Sequence, residues 1–214
     1  MVHISDGVLS FPVVAFGWVL SFIIIGVTLW WSEKHGDIAE QIPKLSVITA
    51  AFFVASLIHI PLGFTSVHLM LNGIVGVILG ILSFPAIFTG VSLQAFLFQH
   101  GGVTTIGINT VILGIPALIS YGIFKTGVKR LPFRNKIESL FGGISGGFAV
   151  IISVVFLVFS FMLTGEELTT PASLIAIGHI PIMIIEGLVA VSIVAFLLKV
   201  KPELLPVKGG GKNE

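Results

Sequence analysis

The first three residues bring together nitrogen donors that could grip a metal ion. His3 follows Met1 and Val2 at the start of a chain that is otherwise largely apolar. A free α-amine, the backbone amides after it and an imidazole at position two or three can together surround one ion with nitrogen. Such planar nitrogen sets suit Ni(II) and Cu(II). The alternative from this tripeptide alone is a polar histidine at a membrane surface, and the rest of the chain has to decide.

The composition is that of a polytopic membrane protein. Of the 214 residues, 55% are hydrophobic and only 10% are charged. A spanning helix needs about 20 apolar residues, so the chain has room for about six or seven spans and for no separate catalytic domain. Because the chain contains no cysteine, any metal must be held by nitrogen or oxygen ligands.

Charged and turn residues divide the chain into seven apolar segments, which predicts an all-α membrane bundle. The predicted segments are 11–31, 45–61, 67–82, 85–98, 103–124, 137–163 and 171–198. We expect one membrane-embedded domain over residues 1–204, followed by a cytoplasmic Gly/Lys tail over residues 205–214.

The basic residues predict the orientation of this bundle. When the seven segments are threaded alternately through a membrane, all 11 lysines and arginines fall on one side. Lys and Arg accumulate in cytoplasmic loops, so the N-terminus is predicted outside and the C-terminus in the cytoplasm. The first segment lacks the basic start and small-residue cleavage site of a secretory signal, so we expect His3 to stay on the chain.

Five of the six histidines fall at or near the outer half of the predicted helices, on the face without Lys or Arg. For any one of them, the alternative is an imidazole bonded to a carbonyl inside the bundle. Polar groups within a bilayer usually mark a ligand or ion path. Neutral imidazoles without ammonium neighbours attract cations. The five are His3, His59, His68, His100 and His179.

The loop before His68 is predicted to place that histidine at a helix start. Pro61 breaks the second helix, and Thr65 or Ser66 can cap the third. His68 would then lie in the first turn of the third helix, facing inward, with Asn72 one turn below it. His59 would either cap the loop or support a ligand from behind.

A second polar break between apolar segments carries His100. The glycines that follow it allow a tight re-entrant turn. Gln94 and Asn109 lie on the flanking helices, where they could bond across the pair or orient a ligand. The alternative is a purely structural hairpin whose amides are all satisfied.

Glu186 lies near the middle of the last segment among apolar neighbours. An ionisable carboxylate at that depth needs a partner. His179 is seven residues earlier, two turns away on the same helix face. The pair indicates either a polar track used in transport or coupling, or bonding between helices.

Several activities are excluded by what the motifs lack. The glycines before Lys212 lack the earlier Gly and the Ser/Thr of a phosphate-binding loop, so we expect no ATP hydrolysis by this chain. No His-Glu-x-x-His occurs, which argues against an intramembrane zinc protease. We predict contact with membrane lipid and none with nucleic acid. A metal-sensing or scaffold subunit without transport stays open.

Four motifs, in this order, resemble the CbiM/NikM family along nearly the whole chain. They are Val2-His3-Ile4-Ser5-Asp6-Gly7, Thr65-Ser66-Val67-His68-Leu69, the run from Gln99-His100-Gly101-Gly102 to Asn109, and the run from His179-Ile180-Pro181 to Ile185-Glu186-Gly187. The members of that family are substrate-capture components of energy-coupling-factor cobalt and nickel importers. The resemblance implies import of Co(II) for cobalamin synthesis, or of Ni(II), without a prosthetic group.

The resemblance also implies partners in the cell membrane. These are a transmembrane coupling protein, ATP-binding-cassette ATPase subunits that supply the energy, and often a small accessory membrane protein. The chain itself would be a multi-pass protein of the cytoplasmic membrane and no enzyme.

The family's metal ligands map onto His3 and His68. In the family the ion is bound by the N-terminal amine, by the backbone nitrogen and imidazole of the histidine after the first residue, and by a second histidine. This chain departs from the usual Met-His start, because Val2 intervenes. Removal of Met1 would make Val2 the amine and restore the spacing, and we favour it because Val2 is small. Retention of Met1 would offer an amine, two amides and the His3 imidazole.

Overall fold

Eight α-helices and one β-hairpin make up the part of the chain that the computed structural model describes, residues 3–62, 65–130, 135–165 and 169–205. The helices are α1 (Phe11–His35), α2 (Ile38–Ala55), α3 (Asn72–Leu79), α4 (Ser83–Phe98), α5 (Ile106–Arg130), α6 (Asn135–Met162), α7 (Thr169–Gly178) and α8 (Ile180–Val200). The hairpin pairs β1 (His59–Leu62) with β2 (Thr65–His68), and single 3-10 turns occupy Gly80–Leu82 and Pro202–Leu204. Of the predicted tail, residues 206–214 lie outside the described part.

Six helical stretches in the described residues are long and apolar enough to cross a membrane, judged by length and composition. They are Phe11–His35, Ile38–Ala55, Asn72–Phe98, Ile106–Lys129, Lys136–Met162 and Ser173–Val200. The predicted membrane bundle of helices is therefore confirmed. The predicted segments 67–82 and 85–98 form one stretch in this count. The number of crossings and the orientation stay predictions.

The stretch from α3 to α4 turns back on itself at Gly80, whose φ is 61°. That left-handed conformation is open to glycine and ends α3. The turn Gly80–Leu82 lines a cavity together with Lys44. Both ends of this stretch lie near His3. Before α3, the His68 ring lies 5.1 Å from the His3 ring. After α4, a Cβ on Gly101 would lie 3.3 Å from the His3 Cβ. Helices α3 and α4 therefore form a helical hairpin.

The segment before α3 differs from its prediction. Residues 59–62 and 65–68 pair as antiparallel strands, with His59 opposite His68. Helix α3 begins only at Asn72, so the predictions that Thr65 or Ser66 caps this helix and that His68 lies in its first turn are wrong. β-branched residues favour strands, and a proline cannot continue a helix. The backbone polar groups of this segment therefore pair across a hairpin.

Glycines let the helix backbones come very close around α6 and α8. A Cβ on Gly146 would lie 2.7 Å from the Cβ of Ala190, and one on Gly143 would lie 2.3 Å from Val191 Cγ2. Between α3 and α5, a Cβ on Gly76 would meet the Ala117 carbonyl oxygen at 2.0 Å. Small residues at such contacts allow the close packing by which membrane helices associate.

Candidate metal centre

His3 and His68 meet at one end of the bundle. Their ring centroids are 5.1 Å apart and the ring planes are nearly perpendicular, at 87°. Both side chains are buried, with 6% and 5% of their surface exposed, and neither ring nitrogen of His3 has a hydrogen-bond partner. Because an imidazole nitrogen lies about 2 Å from a bound ion, two rings at this separation can share one.

The surroundings of His3 keep its imidazole neutral. Burial is the main cause that holds the pKa of His3 well below its usual value, and the nearby His68 and His100 lower it further. A neutral imidazole has the lone pair that a metal ion needs. His100 thus belongs to the surroundings of the histidine pair.

The N-terminal segment that carries His3 is held by Asn109 and Thr105. The Ile4 amide donates to Asn109 Oδ1 at 2.9 Å, and Asn109 Nδ2 donates back to the Ile4 carbonyl at 3.0 Å. The Thr105 hydroxyl donates to the same carbonyl at 2.6 Å. The Asn109 amide therefore pairs with the Ile4 backbone as a neighbouring strand would, and it fixes the residue next to His3.

Asp6 makes a second attachment of the same segment. Its carboxylate accepts hydrogen bonds from the Thr104 hydroxyl and from the amides of Val103 and Thr104, the latter two at 3.2 Å and 3.0 Å. The Thr104 hydroxyl is the main cause that lowers the pKa of Asp6. A Cβ on Gly102 would lie 2.0 Å from Asp6 Oδ1, so this approach needs a glycine.

His68 is attached through the irregular linker 69–71 that follows β2. Its Nδ1 donates to the Leu69 carbonyl at 3.1 Å. The next two amides donate to Glu186 of α8: the Met70 amide to Oε1, and the Leu71 amide to both carboxylate oxygens at 2.9 Å. The partners that Glu186 was expected to need are thus backbone amides beside His68.

The remaining predicted site residues bond to groups other than the His3 and His68 rings. Asn72 Nδ2 donates to the Leu113 carbonyl at 3.0 Å and to Ser153 Oγ at 2.9 Å, which ties α3 to α5 and α6. Gln94 Nε2 donates to Ser56 at 2.6 Å, next to α2. His59 faces His68 across the hairpin through its backbone. None of these contacts involves the imidazole ring of His3 or of His68.

His179 lies at the junction of α7 and α8. Its Nδ1 donates to the Ile175 carbonyl at 2.7 Å, and its Nε2 is buried without a partner. The Glu186 carboxylate is engaged by the linker 69–71. The two side chains that formed the predicted track are therefore each bonded to backbone groups.

Sequence reasoning missed the residues that hold the N-terminal segment. Ile4, Asp6, Thr104 and Thr105 were not among the predicted site residues. All four lie within two of the motifs that carry the family resemblance, residues 2–7 and 99–109, but those motifs gave these four residues no role. Nothing in those motifs identifies the backbone of Ile4 as the partner.

The described residues contain no group of three or more His, Asp or Glu side chains able to hold an ion. The imidazoles of His3 and His68 are the two candidate ligands that the described residues bring together. The predicted amine donors, Met1 and Val2, lie outside the described residues.

Comparison with known proteins decides the family. The family described as "CbiM: Cobalt uptake substrate-specific transmembrane region" matches residues 3–204. This chain belongs to the CbiM family. The predicted resemblance is confirmed.

Named relatives agree with this CbiM assignment, and a solved structure has the same fold. A Haemophilus influenzae relative, provisionally named for metal transport, is 33% identical over 95% of this chain and 96% of its own length. The "Cobalt transport protein CbiM" of Geobacter sulfurreducens is 24% identical over 97% of this chain and 62% of its own. The crystal structure of a truncated transition metal transporter, 20% identical, matches with a TM-score of 0.74 over 92% of this chain and 98% of that one. That last likeness shows the fold.

Proposed function

We propose that this CbiM-family protein captures Co(II) outside the cell and passes it to the cytoplasm as the substrate-binding component of an energy-coupling-factor importer. The observation that carries the proposal is the buried His3–His68 pair, in which both nitrogens of His3 lack a partner. A bound cation would engage the His3 ring nitrogen that carries the lone pair. Ni(II) in the same role is the alternative, since nitrogen-rich sites bind Ni(II) more tightly than Co(II) in the usual order.

The proposed ligands are the imidazoles of His3 and His68 and the N-terminal nitrogens. If Met1 is removed, Val2 supplies the amine and the His3 amide lies between the amine and the imidazole. If Met1 is retained, its amine and two amides join His3, which leaves His68 as an axial ligand. We favour removal, and mass spectrometry of the metal-loaded protein distinguishes the two. Intact Met1 would overturn this choice.

The energy for import would come from other subunits. The chain lacks a phosphate-binding loop, so we assign ATP hydrolysis to separate ATP-binding-cassette subunits, joined to this protein by a transmembrane coupling protein. A small accessory membrane protein would complete the assembly. We place the single domain of residues 1–204 in the cytoplasmic membrane, surrounded by lipid, with the tail in the cytoplasm, and we expect the imported cobalt to serve cobalamin synthesis.

Elemental analysis of the purified protein tests the capture site. The protein is exposed to equal Co, Ni and Zn, washed and analysed beside His68→Ala and His35→Ala. His35 is the matched control, because it is exposed and its Nδ1 bonds the Trp31 carbonyl within α1. We expect about one Co or Ni per chain in the unmodified protein and in His35→Ala, as a single site requires, and none in His68→Ala. If the unmodified protein retains no metal after this exposure, the proposal is refuted.

Uptake separates transport from a sensing or scaffold role. Cells that contain the partner subunits are given labelled cobalt with and without this chain. We expect uptake only with the chain present. Equal uptake in both would assign the chain to sensing or assembly and leave its metal site intact.

A further inference from the structure

A buried carboxylate lies inside the last spanning helix, behind the candidate metal centre. Glu186 is 2% exposed, within a helix that is otherwise almost wholly apolar. An ionisable group at that depth is costly, so its contacts indicate its role. Those contacts are the amides of Met70 and Leu71 in the linker between β2 and α3.

The linker needs such an acceptor because neither neighbouring element supplies one. Leu71 precedes the first residue of α3 and has a left-handed backbone, with a φ of 48°, and the helix start has no side-chain cap. The first amides of a helix have no partner within it. Glu186 supplies the missing acceptors from α8.

One peptide unit joins Glu186 to His68. The carbonyl of Leu69 accepts from His68 Nδ1 at 3.1 Å, and the amide of the same peptide, that of Met70, donates to Glu186 Oε1. Since Nδ1 carries the proton, Nε2 has the lone pair that can bind a metal. Hydrogen bonding behind a ligating histidine sets its tautomer and its orientation and raises its donor strength.

We infer that Glu186 is a positioning residue of the metal centre: acting through the Leu69–Met70 peptide, it sets the orientation and tautomer of His68. The inference rests on the proposed function, because it assumes that His68 binds the ion. Glu186 does not contact the ion in this arrangement.

Close packing fixes Glu186 in turn. A Cβ on Gly146 of α6 would lie 3.2 Å from the Glu186 carbonyl oxygen and 2.7 Å from the Ala190 Cβ. The backbone of α8 at this point therefore rests directly on α6. A displacement of α8 relative to α3 would move the acceptor away from the linker and disturb His68.

Nickel binding by three Glu186 variants tests the inference, with affinity from calorimetry and ligand geometry from the visible absorption spectrum of bound Ni(II). We expect Glu186→Ala to weaken binding by about 10- to 100-fold and to shift the spectrum. Glu186→Gln keeps the length and one acceptor oxygen, so it restores most of the affinity and the spectrum. Glu186→Asp keeps the charge but is one methylene too short, so it restores less than Gln.

Glu138→Ala is the matched control. Glu138 is also buried, at 3% exposure, but it lies in the first turn of α6. The opposite end of α6, about 36 Å away at 1.5 Å per residue, leads to Thr164, whose hydroxyl accepts from the Ser10 amide of the N-terminal segment. We expect this variant to bind Ni(II) with the wild-type affinity and spectrum, even if its thermal stability falls.

Either of two results would overturn the inference. One is folded Glu186→Ala with wild-type affinity and spectrum. The other is tighter Ni(II) binding by Glu186→Asp than by Glu186→Gln, which would mean that the charge of residue 186 matters rather than its position. This second comparison decides the case if the alanine variant does not fold. If the unmodified protein binds no metal, the proposed function itself fails, which is a distinguishable outcome.

Discussion

The end of the bundle that carries His3 and the end that carries His35 are both polar, but their polar side chains differ in burial. At the His3 end, Asn109, Thr105 and His68 are buried and each makes a defined hydrogen bond. At the His35 end, a cavity of about 590 Å³ is lined by charged side chains of both signs that are exposed or half-buried. They include Asp37, Glu40, Lys44 and Glu203, and the His35 side chain lines the same cavity.

Under the proposed function, this difference would separate holding an ion from releasing it. A site binds tightly when its ligands are held in place by a supporting layer of packing and hydrogen bonds. Exposed charges gain little from pairing, because water screens them. In that proposal, the His3 end would serve capture, and the His35 end would serve the passage of an ion into water or contact with a partner.

The largest expected effect comes from His3→Ala. The change removes a proposed ligand, so we expect metal binding to fall by more than about 100-fold, in keeping with the large binding energies of protein metal sites. Because neither His3 ring nitrogen has a partner, the metal-free protein should lose little stability. Calorimetric titration with Ni(II) and thermal unfolding measure both. A large drop in the unfolding temperature of the metal-free variant would contradict the account of a ligand left unpaired.

A slightly smaller effect is expected from Gly102→Ala. The new Cβ would lie 2.0 Å from Asp6 Oδ1 and 2.5 Å from the Asp6 amide nitrogen, so the N-terminal segment must shift and carry His3 with it. We expect a fall in Ni(II) affinity of about 10- to 100-fold, the range for a disturbed supporting contact. Gly122→Ala, which meets nothing within 4 Å, is the control. Equal affinities in both variants would show that the segment adapts.

The sequence predicts part of this contrast and omits the rest, for physical reasons. Apolar segments and basic loops reveal the helices, because spanning length and charge are local properties of the chain. His3 and His68 carry recognisable ligand chemistry. The partners of Asn109 and Glu186, however, are backbone groups more than 100 residues away. Every residue has such groups, so no residue type identifies which of them will be the partner.

The β-hairpin shows a second limit. Residues 59–68 read as a helix end followed by a helix cap, because Pro, Gly, Thr and Ser serve in both structures. The strands form through pairing between residues 59–62 and 65–68, and His59 lies opposite His68 only after that pairing. The distance of His68 from α3 follows from this hairpin.

A pair of matched amide variants sharpens the comparison further. Asn109 and Gln94 are both buried and hydrogen-bonded between segments, but only Asn109 bonds the segment that carries His3. Removing either is expected to cost about 1–3 kcal/mol of unfolding free energy, since buried partners are left unpaired. Asn109→Ala should also reduce Ni(II) affinity by about 10-fold, whereas Gln94→Ala should not. Similar affinity losses in both would remove the distinction between holding a segment and packing helices.

The smallest expected effect concerns pH at Asp6. Hydrogen bonds, chiefly from the Thr104 hydroxyl, lower the pKa of Asp6 from its ordinary value near 3.8. A lowered folded-state pKa means that these bonds stabilise the fold above the ordinary value and that the stabilisation is lost as the pH falls through the folded value. We therefore expect the amide NMR signals of Val103 and Thr104 to change only below about pH 3.8.

Asp6→Asn should remove that acid transition and loosen the N-terminal segment at neutral pH, with a small loss of Ni(II) affinity. Asp37 is the counterpart at the His35 end, where its carboxylate accepts from the Ala39 amide at 2.8 Å and begins α2. Asp37→Asn should leave Ni(II) binding unchanged, because the bond it weakens supports no ligand. If both substitutions lowered the affinity equally, the two ends of the bundle would be coupled in capture, and the division between a holding end and a releasing end would fail.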